Sequence, residues 1–154
     1  MKKNIFRFLT ITWMIIIFAF SARTGVVSTG DSNNVGKFIW SFFIPGFDQM
    51  SESKQLSLAA KIDYPIRKTA HASEYALLGI LLVGASLSFN YGKISLSRYK
   101  MAWILGTLYA ASDEIHQLFV PGRSGQVTDV MIDSTGVLAG VVLSYLISVF
   151  IGGK

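Results

Sequence analysis

Four apolar stretches dominate the pattern of hydrophobic and polar positions along this chain. They cover residues 5–22, 69–89, 101–120 and 130–151. Each approaches the roughly 20 residues that an α-helix needs to cross a bilayer. The pattern therefore predicts an all-α integral membrane protein. We expect a bundle of four transmembrane helices that forms a single domain over residues 1–154.

The connection between the first two spans, residues 23–66, is expected to form a loop on the outer face. Residues 28–34 predict a turn-rich polar link, and apolar residues then recur at helical spacing around Trp40. Residues 51–63 predict a second short helix with Ser51 as its N-cap, and Pro65 should interrupt the chain after it. The loop therefore predicts one or two short helices, which either lie at the membrane interface or cap the bundle.

The basic residues predict the orientation, because cytoplasmic loops of membrane proteins carry an excess of Lys and Arg. The N-terminal segment, the loop at residues 90–100 and the C-terminus hold seven basic and no acidic residues. All nine acidic residues lie outside or in the outer halves of the predicted spans. Both termini are therefore predicted to be cytoplasmic. The basic pI of about 9.6 reflects this topology, so no nucleic-acid partner is expected.

Composition agrees with a protein of the cell membrane. The chain is 51% hydrophobic and 15% charged, with a mean hydropathy of +0.48. It has no cysteine, which excludes disulfides, a thiolate nucleophile and a Cys-ligated metal. The first span also fits a cleaved signal peptide, but retention as an anchor is the preferred interpretation, because residues 5–22 are long enough to cross the bilayer.

The third span brings charged side chains below the membrane surface. Only the 11 residues from Met101 to Ala111 precede its first charged or amide group, and they cover about half a bilayer. The helix must therefore use residues 112–120 to finish crossing, with Asp113 on the order of 10 Å deep. Ionisable groups inside a membrane are costly, and their default interpretation is a functional site.

The second and fourth spans bring matching groups to the same level. Arg67, His71 and Glu74 fall at i, i+4 and i+7, so they share a helix face. Beneath the acids of the fourth span, Gly136 and Gly140 form a Gly-x-x-x-Gly pair, which lets a neighbouring backbone approach closely. The candidate catalytic residues are His71, Glu74, Asp113, Glu114, His116 and Asp133. The candidate ligand-binding residues are Arg67, Lys68, Gln117, Arg123 and Asp129.

Buried polar residues also hold helices together, so packing is the alternative interpretation of this cluster. Five carboxylates, two imidazoles and three cations exceed what the packing of four helices requires, because each unpaired charge costs several kcal/mol. We therefore predict a functional site. Arg123 lies in the turn at residues 121–125 and is expected to contribute little to packing. Tyr75 is expected at the membrane interface.

The motifs that carry these residues resemble the VanZ-like family. They are the segment at residues 67–79, the Asp-Glu-x-His-Gln and Pro-Gly-Arg elements within residues 112–123, and the segment at residues 129–140. Residues 24–63 contribute nothing to the resemblance. It implies a small bacterial multi-pass protein of the cell envelope. The name-giving member of the family raises resistance to the glycopeptide teicoplanin, and the resemblance leaves open whether this chain does so.

The chemistry of the cluster leaves three functions open. Arg67, Lys68 and Arg123 suit a phosphate, because guanidinium forks bind its oxygens bidentately. The expected partners are membrane lipids, a lipid-linked wall precursor or teichoic acid, and the chain would bind or modify one of them. The alternatives are a non-catalytic accessory protein and, less favoured, a small ion or proton transporter, since the cytoplasmic halves of the spans hold almost no polar groups.

A divalent metal is the cofactor that these residues suggest, without a zinc signature in the sequence. The spacing of His71 with Glu74, and of Asp113 with His116, places two ligand pairs on two helices. Whether the chain is an enzyme or a binding protein does not follow from the residues alone.

Overall fold

The computed structural model describes residues 2–86 and 96–152, and these residues form helices without any strand. The all-α class is therefore confirmed for the described part of the chain. The helices are α1 (Lys2–Ser21), α2 (Gly25–Phe43), α3 (Glu52–Lys61), α4 (Asp63–Ser86), α5 (Leu96–Gln117) and α6 (Val127–Gly152), with one 3-10 turn at Phe47–Gln49. Residues 87–89 of the second predicted span, and most of the basic loop after it, lie outside the described residues.

Helices α1, α4, α5 and α6 form a bundle around an apolar core. Helices α1 and α4 are antiparallel, because Trp13 Nε1 donates a hydrogen bond to the carbonyl of Glu74 and the ring of Phe6 lies against Gly84 near the end of α4. Helices α4 and α6 are parallel, since residues 68 and 76 of α4 meet residues 129 and 140 of α6. Helices α5 and α6 are antiparallel, since the ring of Tyr99 near the beginning of α5 packs edge-on to that of Tyr145 towards the end of α6.

These directions bring the ends of α1 and α5 together with the beginnings of α4 and α6. We call this end of the bundle the polar end, because Arg67, Arg123 and Asp129 all lie there. The opposite end holds the beginnings of α1 and α5, with the basic residues Arg7, Arg98 and Lys100. The prediction that the polar groups of the separate helices gather at one end is therefore confirmed.

The contact between α4 and α6 is a close approach of two backbones. Gly136 and Gly140 face the carbonyl groups of Ala72 and Ala76, and a Cβ atom at either glycine would overlap that carbonyl oxygen. This is the role predicted for the Gly-x-x-x-Gly pair. It holds α4 and α6 side by side just below the polar end, which fixes the side chains of the polar end relative to one another.

The segment at residues 23–66 is more helical than predicted. The polar link expected at residues 28–34 is wrong, because these residues lie within the 19-residue helix α2. Ser32 is buried, and its hydroxyl bonds to the carbonyl of Ser28 and to the carboxylate of Asp63, while Gly36 packs against Ala59 of α3. These contacts with α3 and α4 outweigh the weak helix propensity of Gly, Ser and Asn.

Helix α2 is fixed to α3 through its aromatic segment. Trp40 Nε1 donates to the carbonyl of Leu58 at 2.9 Å, so Trp40 helps to pack α2 on α3. Phe38 and Phe42 remain exposed on the same helix. Ser51 precedes α3 as the predicted N-cap residue, although its side chain makes no capping hydrogen bond. The location of this segment at a membrane interface stays a prediction.

Several helix boundaries differ from those predicted, among them the end of α5 and the beginning of α4. Helix α5 ends at Gln117 rather than at residue 120, because the next N–H groups bond to carbonyls three residues back and Pro121 cannot continue a helix. Helix α4 begins at Asp63, before the predicted start at residue 69. Pro65 lies in its first turn, where a missing N–H costs nothing, so the predicted interruption at Pro65 is wrong. The interruption between the two helices lies instead at Ile62, which forms a turn between α3 and α4.

Among the described residues, two helices are long and apolar enough to cross a membrane. They are α1 over Asn4–Ser21, with a mean hydropathy of 1.7, and α6 over Val127–Phe150, with a mean hydropathy of 1.8. Helices α4 and α5 fall below that measure, since they carry most of the charged residues of the polar end. The four-helix arrangement is present, whereas the crossing of a membrane by all four helices stays a prediction.

Candidate functional site

A cavity of about 260 Å³ opens at the polar end, lined by α1, α2 and α4. Arg67, His71 and Glu74 line it from one face of α4, as their spacing predicts. Asp113 of α5 and Arg123 of the turn between α5 and α6 also line it. The cavity therefore brings together five predicted site residues from three parts of the chain.

A second cavity of about 220 Å³ adjoins the first. Arg67, His71 and Arg123 line both cavities, and we call these three residues the shared wall. The second cavity also contacts further predicted site residues, namely Lys68, Gln117 and Asp129. An anion in either cavity would meet the two guanidinium groups and the imidazole of the shared wall.

The guanidinium of Arg123 also holds the end of α1. Its Nε donates to the carbonyl of Arg23 at 3.1 Å, and its Nη2 donates to the carbonyl of Phe20 at 3.3 Å. The last carbonyls of a helix lack intrahelical partners, so Arg123 caps α1. The expectation that Arg123 contributes little to packing is therefore wrong. Burial and, after it, the nearby charge of Arg67 lower the pKa of Arg123, yet an arginine remains cationic in proteins.

Two buried carboxylates lie beside the shared wall. Asp133 is only 1% exposed, and its Oδ1 lies 3.7 Å from Nδ1 of His71. Asp113 is 2% exposed, and its Oδ2 accepts a hydrogen bond from Gln117. Within the described residues, Oδ1 of Asp113 and both carboxylate oxygens of Asp133 have no hydrogen-bond partner. Buried polar atoms of this kind are rare and costly, which favours a functional role for both carboxylates.

Glu114 and Gln117 hold the turn between α5 and α6. Oε2 of Glu114 accepts the backbone N–H of Gln126 at 2.9 Å, and its Oε1 accepts a hydrogen bond from Gln117 at 3.1 Å. Glu114 lines neither of the two cavities. Its carboxylate thus connects the last turn of α5 to the segment before α6, and this contact positions Arg123 between them.

Lys68 and Asp129 connect the beginnings of α4 and α6. The Nζ of Lys68 lies 2.5 Å from Oδ1 of Asp129 and 5.1 Å from the centre of the Tyr64 ring. The side chains of Lys68 and Asp129 are 21% and 14% exposed. This partly buried ion pair lines the second cavity.

The four suggested metal ligands are not brought together as a set, although His71, Glu74 and Asp113 all line the first cavity. His116 does not line either cavity and instead stacks on Phe18, with ring centres 4.4 Å apart. Within the described parts of the chain, no group of three or more His, Asp or Glu side chains is arranged to hold a metal ion. The set of His71, Glu74, Asp113 and His116 therefore has no geometric support.

Several residues that line the first cavity are not among the predicted site residues. Helix α2 contributes Ser28, Asp31, Ser32 and Val35, and Asp31 forms an ion pair with Arg23 at 2.6 Å. Their spacing of three to four residues is that of one helix face, which is the signal that could have identified them. The interpretation of residues 28–34 as a turn hid that signal.

Tyr75 lies in the core rather than at an interface. It is fully buried, its ring packs 6.3 Å from that of Tyr109, and its hydroxyl has no partner among the described residues. The expectation of an interfacial tyrosine is therefore wrong.

The match to a protein family covers both the cavities and the helices that build them. The family model described as VanZ/LLP1 matches residues 6–148, nearly the whole chain. The chain belongs to this family. The VanZ/LLP1 match includes α2 and α3, which carry none of the motifs of the sequence resemblance. No curated protein and no solved structure shows significant similarity to the chain.

Proposed function

We propose that this VanZ/LLP1 protein is a membrane protein of the cell envelope that binds a phosphate-bearing lipid at the polar end. The observation that carries the proposal is the shared wall, where Arg67, His71 and Arg123 border two adjoining cavities. Within the described residues, Nε of Arg67 is buried without a hydrogen-bond partner, so the protein leaves this donor of the guanidinium unsatisfied. Guanidinium groups bind phosphate oxygens through paired, charge-assisted hydrogen bonds.

The location of charged and apolar side chains supports four membrane-spanning helices. The 24 residues of α4 and the 22 residues of α5 measure about 36 and 33 Å, which suffices for a hydrocarbon core of about 30 Å. On α5, Asp113 is 2% exposed whereas Leu108 is 61% exposed. Part of the low hydropathy of α5 therefore comes from buried residues that face the bundle, namely Asp113, Glu114 and Gln117, and the outer face beside them suits contact with lipid.

The basic residues at the opposite end support the orientation. Arg7, Arg98 and Lys100 lie where α1 and α5 begin, and no acidic residue accompanies them in the described part of those segments. By the positive-inside rule this end faces the cytoplasm, together with both termini. The polar end then faces the outer surface, where the lipid phosphates of the outer leaflet lie.

The topology has a direct test, because the chain contains no cysteine. Ser53 of α3 and Lys100 of α5 are both exposed, so a single cysteine can be introduced at either position. A membrane-impermeant maleimide should label Ser53→Cys in intact cells and Lys100→Cys only after the cells are opened. Labelling of Lys100→Cys in intact cells would contradict the orientation, and equal labelling of both variants would contradict a membrane between the two ends.

The phosphate can belong to several envelope molecules. Phospholipids, undecaprenyl-linked wall precursors and lipid-anchored teichoic acid all carry a phosphate next to a hydrocarbon chain. A wall-precursor ligand would account for glycopeptide resistance, since the protein would then change what such an antibiotic can reach. We place glycopeptide resistance second to lipid binding, because resistance requires that the ligand is a wall precursor.

Lipid binding can be measured on the purified protein by native mass spectrometry. Three probes separate the contribution of the phosphate from that of the hydrocarbon chains. They are phosphatidylglycerol, undecaprenyl phosphate and diacylglycerol, which has the chains and no phosphate. The proposal expects the phosphate-bearing probes to be retained at least tenfold more strongly than diacylglycerol. Equal retention of all three probes would overturn it and favour an accessory protein without a phosphate site.

A second candidate function is modification of the bound phosphate ester. It is favoured by the pairing of His71 with the buried carboxylate of Asp133, because such a pair suits general acid–base catalysis. His71 lines both cavities, so its imidazole also borders the region where the phosphate would bind. The same mass spectra would detect this modification, because cleavage of a probe would produce fragments of lower mass that increase with incubation time.

A further inference from the structure

A groove of about 520 Å³ runs along the outside of the contact between α4 and α6. Small side chains line it on both helices, and it begins at the polar end. Among its lining residues are Lys68, Ala72, Ser73, Ala76, Thr135 and Ala139. Neither the cavities nor the shared wall accounts for this groove, because only Lys68 belongs to both the groove and the second cavity.

The surface of the groove offers few polar groups to a ligand. The hydroxyl of Ser73 donates to the carbonyl of Thr69 at 2.7 Å, and the hydroxyl of Thr135 donates to the carbonyl of Met131 at 2.8 Å. Both hydroxyl protons are therefore used within their own helices. Methyl and methylene groups remain at the surface, so the groove suits a hydrocarbon chain rather than a polar molecule.

The length of the groove matches one leaflet of a membrane. Its lining extends from Lys68 to Ala76 on α4 and from Met131 to Ala139 on α6. Eight residues of helix measure about 12 Å, and half of the hydrocarbon core measures about 15 Å. A lipid chain that starts at the polar end would therefore follow the groove to about the middle of the membrane.

The head of the groove carries a charge that fits a lipid phosphate. Lys68 lies there, paired with Asp129 across the beginnings of α4 and α6, and it also lines the second cavity. A phosphate attached to a chain in the groove would reach the ammonium of Lys68 first. The cavity bordered by Arg67 and Arg123 lies directly beyond that ion pair.

We propose that the groove between α4 and α6 holds the hydrocarbon chain of a phosphate-bearing lipid, whose head group reaches the cavities past Lys68. This inference rests on the proposed function and adds the chain-binding site to it. The ligand is thus a molecule of the outer leaflet that enters from the side of the bundle.

The test fills the groove without touching the cavities. Ala139 lines the groove and is exposed, so Ala139→Trp places a large ring in the path of the chain. Leu138 is 42% exposed and does not line the groove, which makes Leu138→Trp the matched control. The two probes are phosphatidylglycerol and glycerophosphoglycerol, which carry the same phosphodiester with and without hydrocarbon chains.

We expect Ala139→Trp to weaken phosphatidylglycerol binding at least tenfold and to leave glycerophosphoglycerol binding unchanged. Leu138→Trp should bind both probes like the parent. If Ala139→Trp binds phosphatidylglycerol normally while the parent still prefers phosphate-bearing lipids, the groove proposal fails and the proposed function stands. If the parent shows no such preference, the proposed function fails first.

A second copy of the chain is the other occupant that a groove of small residues suits. In that case the parent would be a dimer in dilute detergent, Ala139→Trp would be a monomer, and both would bind phosphatidylglycerol equally. Light scattering on the same samples detects this outcome, which would overturn the proposal.

Discussion

Gly140→Ala should destabilise the protein by about 2–3 kcal/mol, although it adds a single methyl group. The added Cβ would overlap the backbone carbonyl of Ala76, which cannot rotate away as a flexible side chain can. Helices α4 and α6 would have to move apart, and the packing around Tyr75 and Val137 would loosen with them. Thermal unfolding of the purified protein in detergent measures the effect.

Gly30→Ala is the matched control, and we do not expect it to lower the stability of the protein. Gly30 lies in α2, and a Cβ atom there would meet no other atom within 4 Å. Alanine favours a helix over glycine by up to about 1 kcal/mol, so this variant should unfold at the same or a higher temperature. Equal unfolding temperatures for Gly140→Ala and the parent would show that the two backbones are not in close contact.

The contact that these variants test could be predicted from sequence because it depends on one short motif. A Gly-x-x-x-Gly pair in an apolar helix has few roles other than close helix approach. The gathering of charges at one end was also predictable, since alternating helices place their outer halves together once the spans are assigned. Both predictions use periodicity and order along the chain, which the sequence contains directly.

The segment at residues 23–66 shows where such reasoning failed. Its Gly, Ser and Asn residues favour turns in isolation, and they become helical because α2 packs on α3 and α4. That packing depends on partners far along the chain, such as Asp63 for Ser32. The missed side of the first cavity, including Asp31, follows from the same cause.

The candidate site was predicted as a set of residues rather than as an arrangement. His71, Glu74 and Asp113 line the first cavity, whereas His116 packs on Phe18. Spacing alone could not separate these cases, because His116 lies one turn from Asp113 and faces a neighbour that the sequence does not identify. The double role of Arg123 could likewise not be predicted, since its carbonyl partners lie in the last turn of α1 and just after it, about a hundred residues earlier.

That double role decides which arginine gives the cleaner test of phosphate binding. A change at Arg123 would also release the end of α1, so a loss of binding could follow from a loss of structure. Among the described residues, Arg67 forms a partly exposed ion pair with Asp63, at 3.1 Å and one turn away on the same helix. Such pairs contribute about 0.3–0.5 kcal/mol, so the fold should tolerate its removal.

Arg67→Gln should weaken the binding of phosphatidylglycerol by roughly 10- to 150-fold while the unfolding temperature stays close to that of the parent. The range corresponds to about 1.5–3 kcal/mol for hydrogen bonds to a charged group. Lys54→Gln removes the same charge from an exposed position on α3 that lines neither cavity, and it should bind like the parent. Arg67→Lys should give an intermediate affinity, because it keeps the charge and loses the planar fork.

If all three variants bind equally well, phosphate capture by the shared wall is wrong. If Lys54→Gln loses as much affinity as Arg67→Gln, the attraction comes from the overall charge of the surface rather than from the cavity.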